Sequence, residues 1–223
     1  MYRLRIKFEK KGWARFVSQL ELVKVLERTL RRGDFPLVFT EGFSPRPKIS
    51  FGPPTPVGFE SQAEVADIFL TTRLPEEVVK RRLNKFFPEG FQALSSSYLS
   101  LQEPSLIKKV ALSEYEVFFP PVCAGDVKFR ERLNSYLSGV TELFHRGKQI
   151  VINRQTDFPE FSSSSEDNGV LLRLLLATRD DRTIRPDVLL WPFLEKEGLS
   201  LSALKIVRKE LFFLTGDRRQ KIL

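Results

Sequence analysis

The chain has 223 residues, a formal net charge of +8, 42% hydrophobic and 29% charged residues, the balance of a globular protein with room for a substantial core. One cysteine, Cys123, and one histidine, His145, rule out an internal disulfide, a Cys/His zinc site and a three-cysteine iron–sulfur cluster built by this chain alone. No apolar run approaches the roughly 18 residues of a membrane helix, and MYRLRIKFEKKGW has no signal-peptide core, so no membrane contact and a cytoplasmic location are expected.

YRLRIKFEK alternates Tyr2, Leu4, Ile6 and Phe8 against Arg3, Arg5, Lys7 and Glu9, the pattern of a half-buried strand. KKGWARF reads as a turn. Ser18 and Glu21 in SQLE form a capping box that starts a helix running to about Arg32. Its buried stripe is read as Leu20, Val23, Leu26 and Leu30, and Gly33 closes it. FPLVF is a short extended piece, KISFG starts or continues a strand, and AEVADIFL is a strand. Pro75 opens a second helix, PEEVVKRRLNKFF, and FQALSSSYL is the closing strand. The order strand, helix, strand, strand, helix, strand is the ferredoxin-like pattern.

The second half repeats the pattern without repeating residues. EYEVFFP, QIVINRQ, GVLLRLLLA and LKIVRKELFFL read as strands. DVKFRERLNSYLS is a helix with Asp126 as cap and Phe129, Leu133 and Leu137 inward, and IRPDVLLWPFLEKEG is a helix that Pro192 bends or shortens. LFHRGK looks like a helix end and turn. FPEFSSSSEDNG is expected to be a mobile loop and GDRRQKIL a disordered tail. The fold class is therefore α+β, two tandem ferredoxin-like (βαββαβ) halves with antiparallel sheets. The domains are residues 1–100 and 113–223, joined by a linker at 101–112. No GxGxxG or GxxxxGK[ST] motif is present, and neither a cofactor nor a metal is expected.

The charge is concentrated. The first 60 residues hold 12 Lys/Arg against 6 Asp/Glu, an excess of six in a chain total of eight. Within GFSPRPKISFG, Ser44 and Arg46 each precede a proline, which favours extended backbone and a stiff presentation of Arg46 and Lys48. Phe43 and Phe51 offer rings for base stacking or for the core. Lys24, Arg28, Arg31 and Arg32 recur along one face of the first helix, partly neutralised if Glu21 pairs with Lys24 and Glu27 with Arg31. Arg15, Lys24, Arg28, Arg31, Ser44, Arg46 and Lys48 are the candidate RNA- or anion-binding set, expected to form one electropositive patch. No residue is assigned a catalytic role. Glu21, Glu41, Glu60, Glu64 and Asp67 are the carboxylates an enzyme would draw on.

The run from Arg15 to Leu70, RFVSQLELVKVLERTLRRGDFPLVFTEGFSPRPKISFGPPTPVGFESQAEVADIFL, resembles a radical-SAM-linked family of unknown function. Its members occur alone or attached to the C-terminus of a radical SAM protein with a cobalamin-binding-type domain. The family often reads SHLD where this chain has SQLE, and NPHP where it has SPRP. Gln19, Glu21 and Arg46 thus replace residues suited to metal or acid–base chemistry. The resemblance implies a radical SAM partner.

Three functions follow as expectations. The first is a non-catalytic accessory that holds RNA, tRNA or rRNA, for a radical SAM modifying enzyme. The second is a protein-interaction module that docks on that enzyme without RNA. The third is a metal-independent ribonuclease, suggested by the fold-level analogy between tandem ferredoxin-like halves and the RNA-processing endonucleases of CRISPR systems.

Overall fold

The computed structural model describes every residue except Val127, Arg146, Asn168, Asp180, Asp181 and Asp217. The chain is a mixed α+β protein with mostly antiparallel sheet. It divides into two units, residues 1–110 with 212–223, and residues 111–211. Among the described residues no helix is long and apolar enough to cross a membrane.

The first unit runs β1 (Tyr2–Lys10), a 3-10 turn (Gly12–Phe16), α1 (Gln19–Arg32), β2 (Ile49–Phe51), β3 (Glu60–Leu70), α2 (Glu76–Phe86), β4 (Phe91–Leu99) and α3 (Leu106–Lys109). The strand order is β4-β1-β3-β2, antiparallel throughout. Leu4, Ile6 and Phe8 from β1 meet Ala66, Ile68 and Leu70 from β3 beneath Leu22, Leu26 and Leu30 of α1 and Val79 and Leu83 of α2. Side chains alternate across a strand, so this core fixes α1 and α2 to one face of the sheet.

Two expectations change here. The buried row of α1 is Leu22, Leu26, Thr29 and Leu30, and Leu20 is 78% exposed. The helix begins at Gln19, which turns Leu20 to the side opposite Leu22 and onto the row of Lys24. The second face of β1 is also covered. Arg3, Arg5 and Glu9 are buried, so β1 is buried on both sides rather than half-buried.

Asp67 on β3, fully buried, is the reason two arginines tolerate that position. Its Oδ2 accepts from Arg3 Nη2 at 2.6 Å, and its Oδ1 accepts from Arg5 Nε at 2.7 Å. Arg3 also donates to the carbonyls of Glu103 and Pro104, and Leu106 is buried where α3 crosses β2 and β3. Residues 101–110, expected as a linker, are thus held on the first unit. Gly52 shares that contact: a Cβ there would lie 2.5 Å from Val65 Cγ2 and 3.9 Å from Leu106 Cβ.

The second unit runs β5 (Leu112–Phe119), α4 (Pro121–Gly125), α5 (Phe129–Gly139), β6 (Glu142–His145), β7 (Lys148–Val151), α6 (Arg154–Asp157), β8 (Glu160–Glu166), β9 (Gly169–Ala177), α7 (Pro186–Lys196), a 3-10 turn (Leu201–Ala203) and β10 (Lys205–Thr215), of which residues 205–211 belong to this unit. The order is β10-β5-β9-β8. QIVINRQ is not the strand beside GVLLRLLLA. Lys148–Val151 pairs with β6 in a separate hairpin, where His145 ends a strand rather than a helix. The Ser-rich segment, expected as a loop, is edge strand β8, in register with β9 from Glu160↔Leu175 to Glu166↔Gly169. Glu160 and Glu166 at its ends suit an edge, because charged side chains discourage further strand pairing. The basic tail is also ordered as a strand: β11 (Arg218–Lys221) pairs with residues 212–215 of β10. Pro192 lies inside α7, and Tyr136 on α5 donates its hydroxyl to the Leu189 carbonyl of that helix at 2.7 Å.

Candidate nucleic-acid interface

The capping box of α1 is formed in full. Ser18 Oγ accepts from the Glu21 amide, and Glu21 Oε2 accepts from the Ser18 amide at 2.8 Å. The hydrogen bond from the Ser18 backbone, then the one from its side chain, holds the Glu21 carboxyl below its ordinary value. Glu21 is therefore committed to the helix start; the charge of Lys24 also helps to lower its carboxyl, from beyond ion-pair distance. Glu27 is half-buried and does not ion-pair with Arg31. Among the described residues Lys24, Arg28, Arg31, Arg46 and Lys48 have no carboxylate within ion-pair distance. Lys24, Arg28 and Arg31 are exposed, on the side of α1 away from Leu22 and Leu26. The row from Leu20 to Arg31 is about 17 Å long.

At the end of the row, the Arg31 guanidinium lies 5.2 Å from the Phe39 ring centroid. Phe39 is bridged to Pro47, the Thr40 amide donates to the Arg46 carbonyl at 2.8 Å, and the Lys48 amide donates to the Val38 carbonyl at 2.8 Å. The segment SPRP is therefore the return leg of a small hairpin that leads into β2. Ser44 and a fully exposed Phe43 sit at its tip. Phe51, the other ring considered for stacking, packs against the core.

At the start of the row stands the 3-10 turn Gly12–Phe16. Trp13 is 85% exposed and its ring centroid is 6.1 Å from that of Phe16, with the planes at 41°. The Arg15 guanidinium lies 4.8 Å from the Phe16 ring centroid. The turn is anchored on three sides. The Lys11 amide donates to the Gly90 carbonyl at 2.8 Å, the Gly12 amide to Glu60 Oε1 at 3.1 Å, and the Gly58 amide to the Arg15 carbonyl at 2.9 Å. Gly90 has φ +86°, and a Cβ there would lie 2.7 Å from the Lys11 carbonyl oxygen, so only glycine admits this approach without strain.

The seven candidate residues thus fall into two groups. Lys24, Arg28 and Arg31 lie along α1, on the helix side of the sheet, and Arg15 lies in the turn that precedes it. Lys48 does not join them. Its Nζ lies 5.0 Å from the centroid of Phe69, which alternates with Ile68 and therefore faces the side of Asp67, away from α1. Alternation places Arg46 with Lys48, and Ser44 is at the hairpin tip between the two sides. Trp13, Phe16 and Leu20 were not singled out by sequence. The first two sit in a turn without periodicity, and Leu20 is disguised as part of an apolar stripe.

Of the five candidate carboxylates, Glu41 is exposed and the other four have structural partners. Glu21 caps α1, Glu60 accepts from Gly12, Glu64 accepts from Thr55 and Asp67 binds two arginines. Among the described residues no three His, Cys, Asp or Glu side chains gather as a metal site. A cleft of ≈760 Å3 in the second unit is lined by Arg132, Tyr136, Phe193 and Glu197, but its arginine is engaged. Arg132 pairs with Glu197 at 2.6 Å and Asp126 at 2.7 Å. Hydrogen bonding to Arg132 lowers the carboxyl values of both acids, while burial pushes the Tyr136 hydroxyl up to about 12.

A family model described as uncharacterised protein conserved in bacteria, DUF2344, matches residues 3–186. The chain belongs to the DUF2344 family. The DUF2344 match takes in the 3-10 turn, α1, the hairpin and most of the second unit. No curated protein matches. A crystal structure of an unknown protein from Galdieria sulphuraria is 11% identical over 100% of this chain and 99% of its own, with a TM-score of 0.27, and adds no argument about the fold.

Proposed function

We propose that this DUF2344 protein is a non-catalytic RNA-binding accessory of a radical SAM RNA-modifying enzyme, carried on two ferredoxin-like halves. The observation that carries the reading is the α1 face, where Lys24, Arg28 and Arg31 stand exposed without carboxylates at ion-pair distance among the described residues. Cations with no carboxylate at ion-pair distance on one helix face suit a phosphate backbone, and exposed Trp13 in the turn before α1 adds a ring for a base. The repeated strand orders β4-β1-β3-β2 and β10-β5-β9-β8 support the ferredoxin-like description. The radical SAM partner and a cytoplasmic setting rest on the sequence resemblance and composition.

The test is binding of a transcribed tRNA, followed by fluorescence anisotropy at about 50 and 200 mM salt. Three phosphate contacts predict at least a tenfold weakening across that range. Absence of binding at the lower salt contradicts the reading. Exposed Leu20 and Val57 favour a second reading, docking on the enzyme itself, which a nuclease-resistant complex with purified radical SAM protein would support.

A further inference from the structure

We infer that the 3-10 turn Gly12–Phe16 is a platform for an unpaired base, so that the RNA taken by the α1 face is single-stranded where it crosses that turn. This rests on the RNA-binding reading and narrows its ligand.

Tryptophan is usually well buried, yet Trp13 exposes most of its side chain on a backbone that is not loose. The Lys11 and Gly12 amides tie the start of the turn to the Gly90 carbonyl and Glu60, and the Arg15 carbonyl near its end accepts from the Gly58 amide. A ring held on fixed backbone loses little freedom when it stacks. Trp13 and Phe16 are inclined at 41°, and the guanidinium of Arg15 lies over Phe16 rather than over Trp13. Neither neighbour is stacked on the indole, which remains open to a planar partner.

The charge arrangement selects the occupant. The platform directly precedes α1 in the chain, and Lys24, Arg28 and Arg31 are exposed along that helix. A strand whose base rests on Trp13 runs its phosphates past these cations. A-form duplex RNA offers the cations its phosphates but keeps its bases stacked inside, where the indole cannot reach them. Stacking on an aromatic ring tolerates any base, because each has a π-face, so the platform selects for unpaired structure rather than for sequence.

The chain has two tryptophans, Trp13 and Trp191, so W191F leaves Trp13 as the sole indole reporter. The experiment titrates full-length W191F with an unstructured 12-nucleotide RNA and with a 12-base-pair RNA duplex at equal salt. The inference predicts quenching of Trp13 emission by the single strand, and binding of the duplex weaker by about tenfold. In the wild-type background W13A weakens single-strand binding by on the order of tenfold, W13F retains most of it, and duplex binding by either variant is unchanged. Equal affinity for the two RNAs with unaltered Trp13 emission overturns the inference and leaves RNA binding by the α1 face standing. Binding of neither RNA overturns both. If W13A then abolishes association with a purified radical SAM enzyme, the platform belongs to a protein partner.

Discussion

Arg31 covers the ring of Phe39 at 5.2 Å, and Phe39 is bridged to Pro47. One exposed cation–π contact therefore ties the C-terminal turn of α1 to the hairpin that carries Phe43 and Ser44. Such a contact is worth about 0.5–1 kcal/mol. Arg31→Ala is expected to lower global stability by no more than about 1 kcal/mol while accelerating protease cleavage at Glu41–Ser44. Unfolding in urea and timed proteolysis separate the two effects. A hairpin cleaved at the wild-type rate would show that the contact does not hold it.

Asp67 answers two buried arginines at once, with 2.6 Å to Arg3 and 2.7 Å to Arg5. Removing one partner of a buried ionic group leaves charge unpaired in a low-dielectric site, at a cost of about 3–5 kcal/mol. Asp67→Asn is expected to destabilise the chain by that amount in urea unfolding. The triple variant R3M/R5M/D67L removes all three charges and is expected to be less damaging than Asp67→Asn alone. If the triple variant is the worse of the two, the cluster contributes more than mutual compensation.

The start of α1 gives a pH-dependent prediction. The Ser18 hydrogen bonds keep the Glu21 carboxyl below its ordinary value in the folded state. A carboxyl depressed on folding contributes stability that is complete above its unfolded value, about 4.3. That contribution fades as pH falls through the lower folded value. Ser18→Ala is expected to cost about 1 kcal/mol at neutral pH, with a smaller difference from wild type as Glu21 protonates. Urea midpoints between about pH 2.5 and 7 follow the change across the range set by the unfolded value. A difference independent of pH would remove Glu21 from the capping interaction.

Gly90 fixes the position of the platform from a distance in sequence. With φ +86° and only 2.7 Å from a built Cβ to the Lys11 carbonyl oxygen, Gly90→Ala is expected to destabilise the chain by about 1–3 kcal/mol and to shift Trp13 emission. Urea unfolding of wild type and variant, with emission spectra of each in the W191F background, checks both parts. An unchanged spectrum with normal stability would mean that the turn does not depend on this approach.

Much of the first unit was legible because its signals are local and agree with one another. The alternation of β1, the Ser18–Glu21 box and Pro75 each name an element by a mechanism that tertiary packing did not override. What escaped depends on burial from outside the segment. Arg3 and Arg5 look solvent-facing until Asp67, 64 and 62 residues away, is set between them, and the Glu103–Leu106 segment that covers them looks like a linker. β8 carries four consecutive serines, and only pairing with the apolar β9 makes it a strand. At the candidate site, spacing alone gave Lys24, Arg28 and Arg31. The separation of Lys48 required knowing that Phe69 faces away from α1. The exposure of Trp13 had no signature in the residues around it.

The most direct test of the central claim is the dependence of RNA affinity on salt for wild type, K24Q/R28Q/R31Q and K48Q. Counterion release contributes about 0.7 to the log–log slope per phosphate contact on a single strand. The three α1 cations predict a slope shallower by about 2 in the triple variant, with K48Q close to wild type. A triple variant that matches wild type in both affinity and slope would contradict the assignment of the α1 face to RNA.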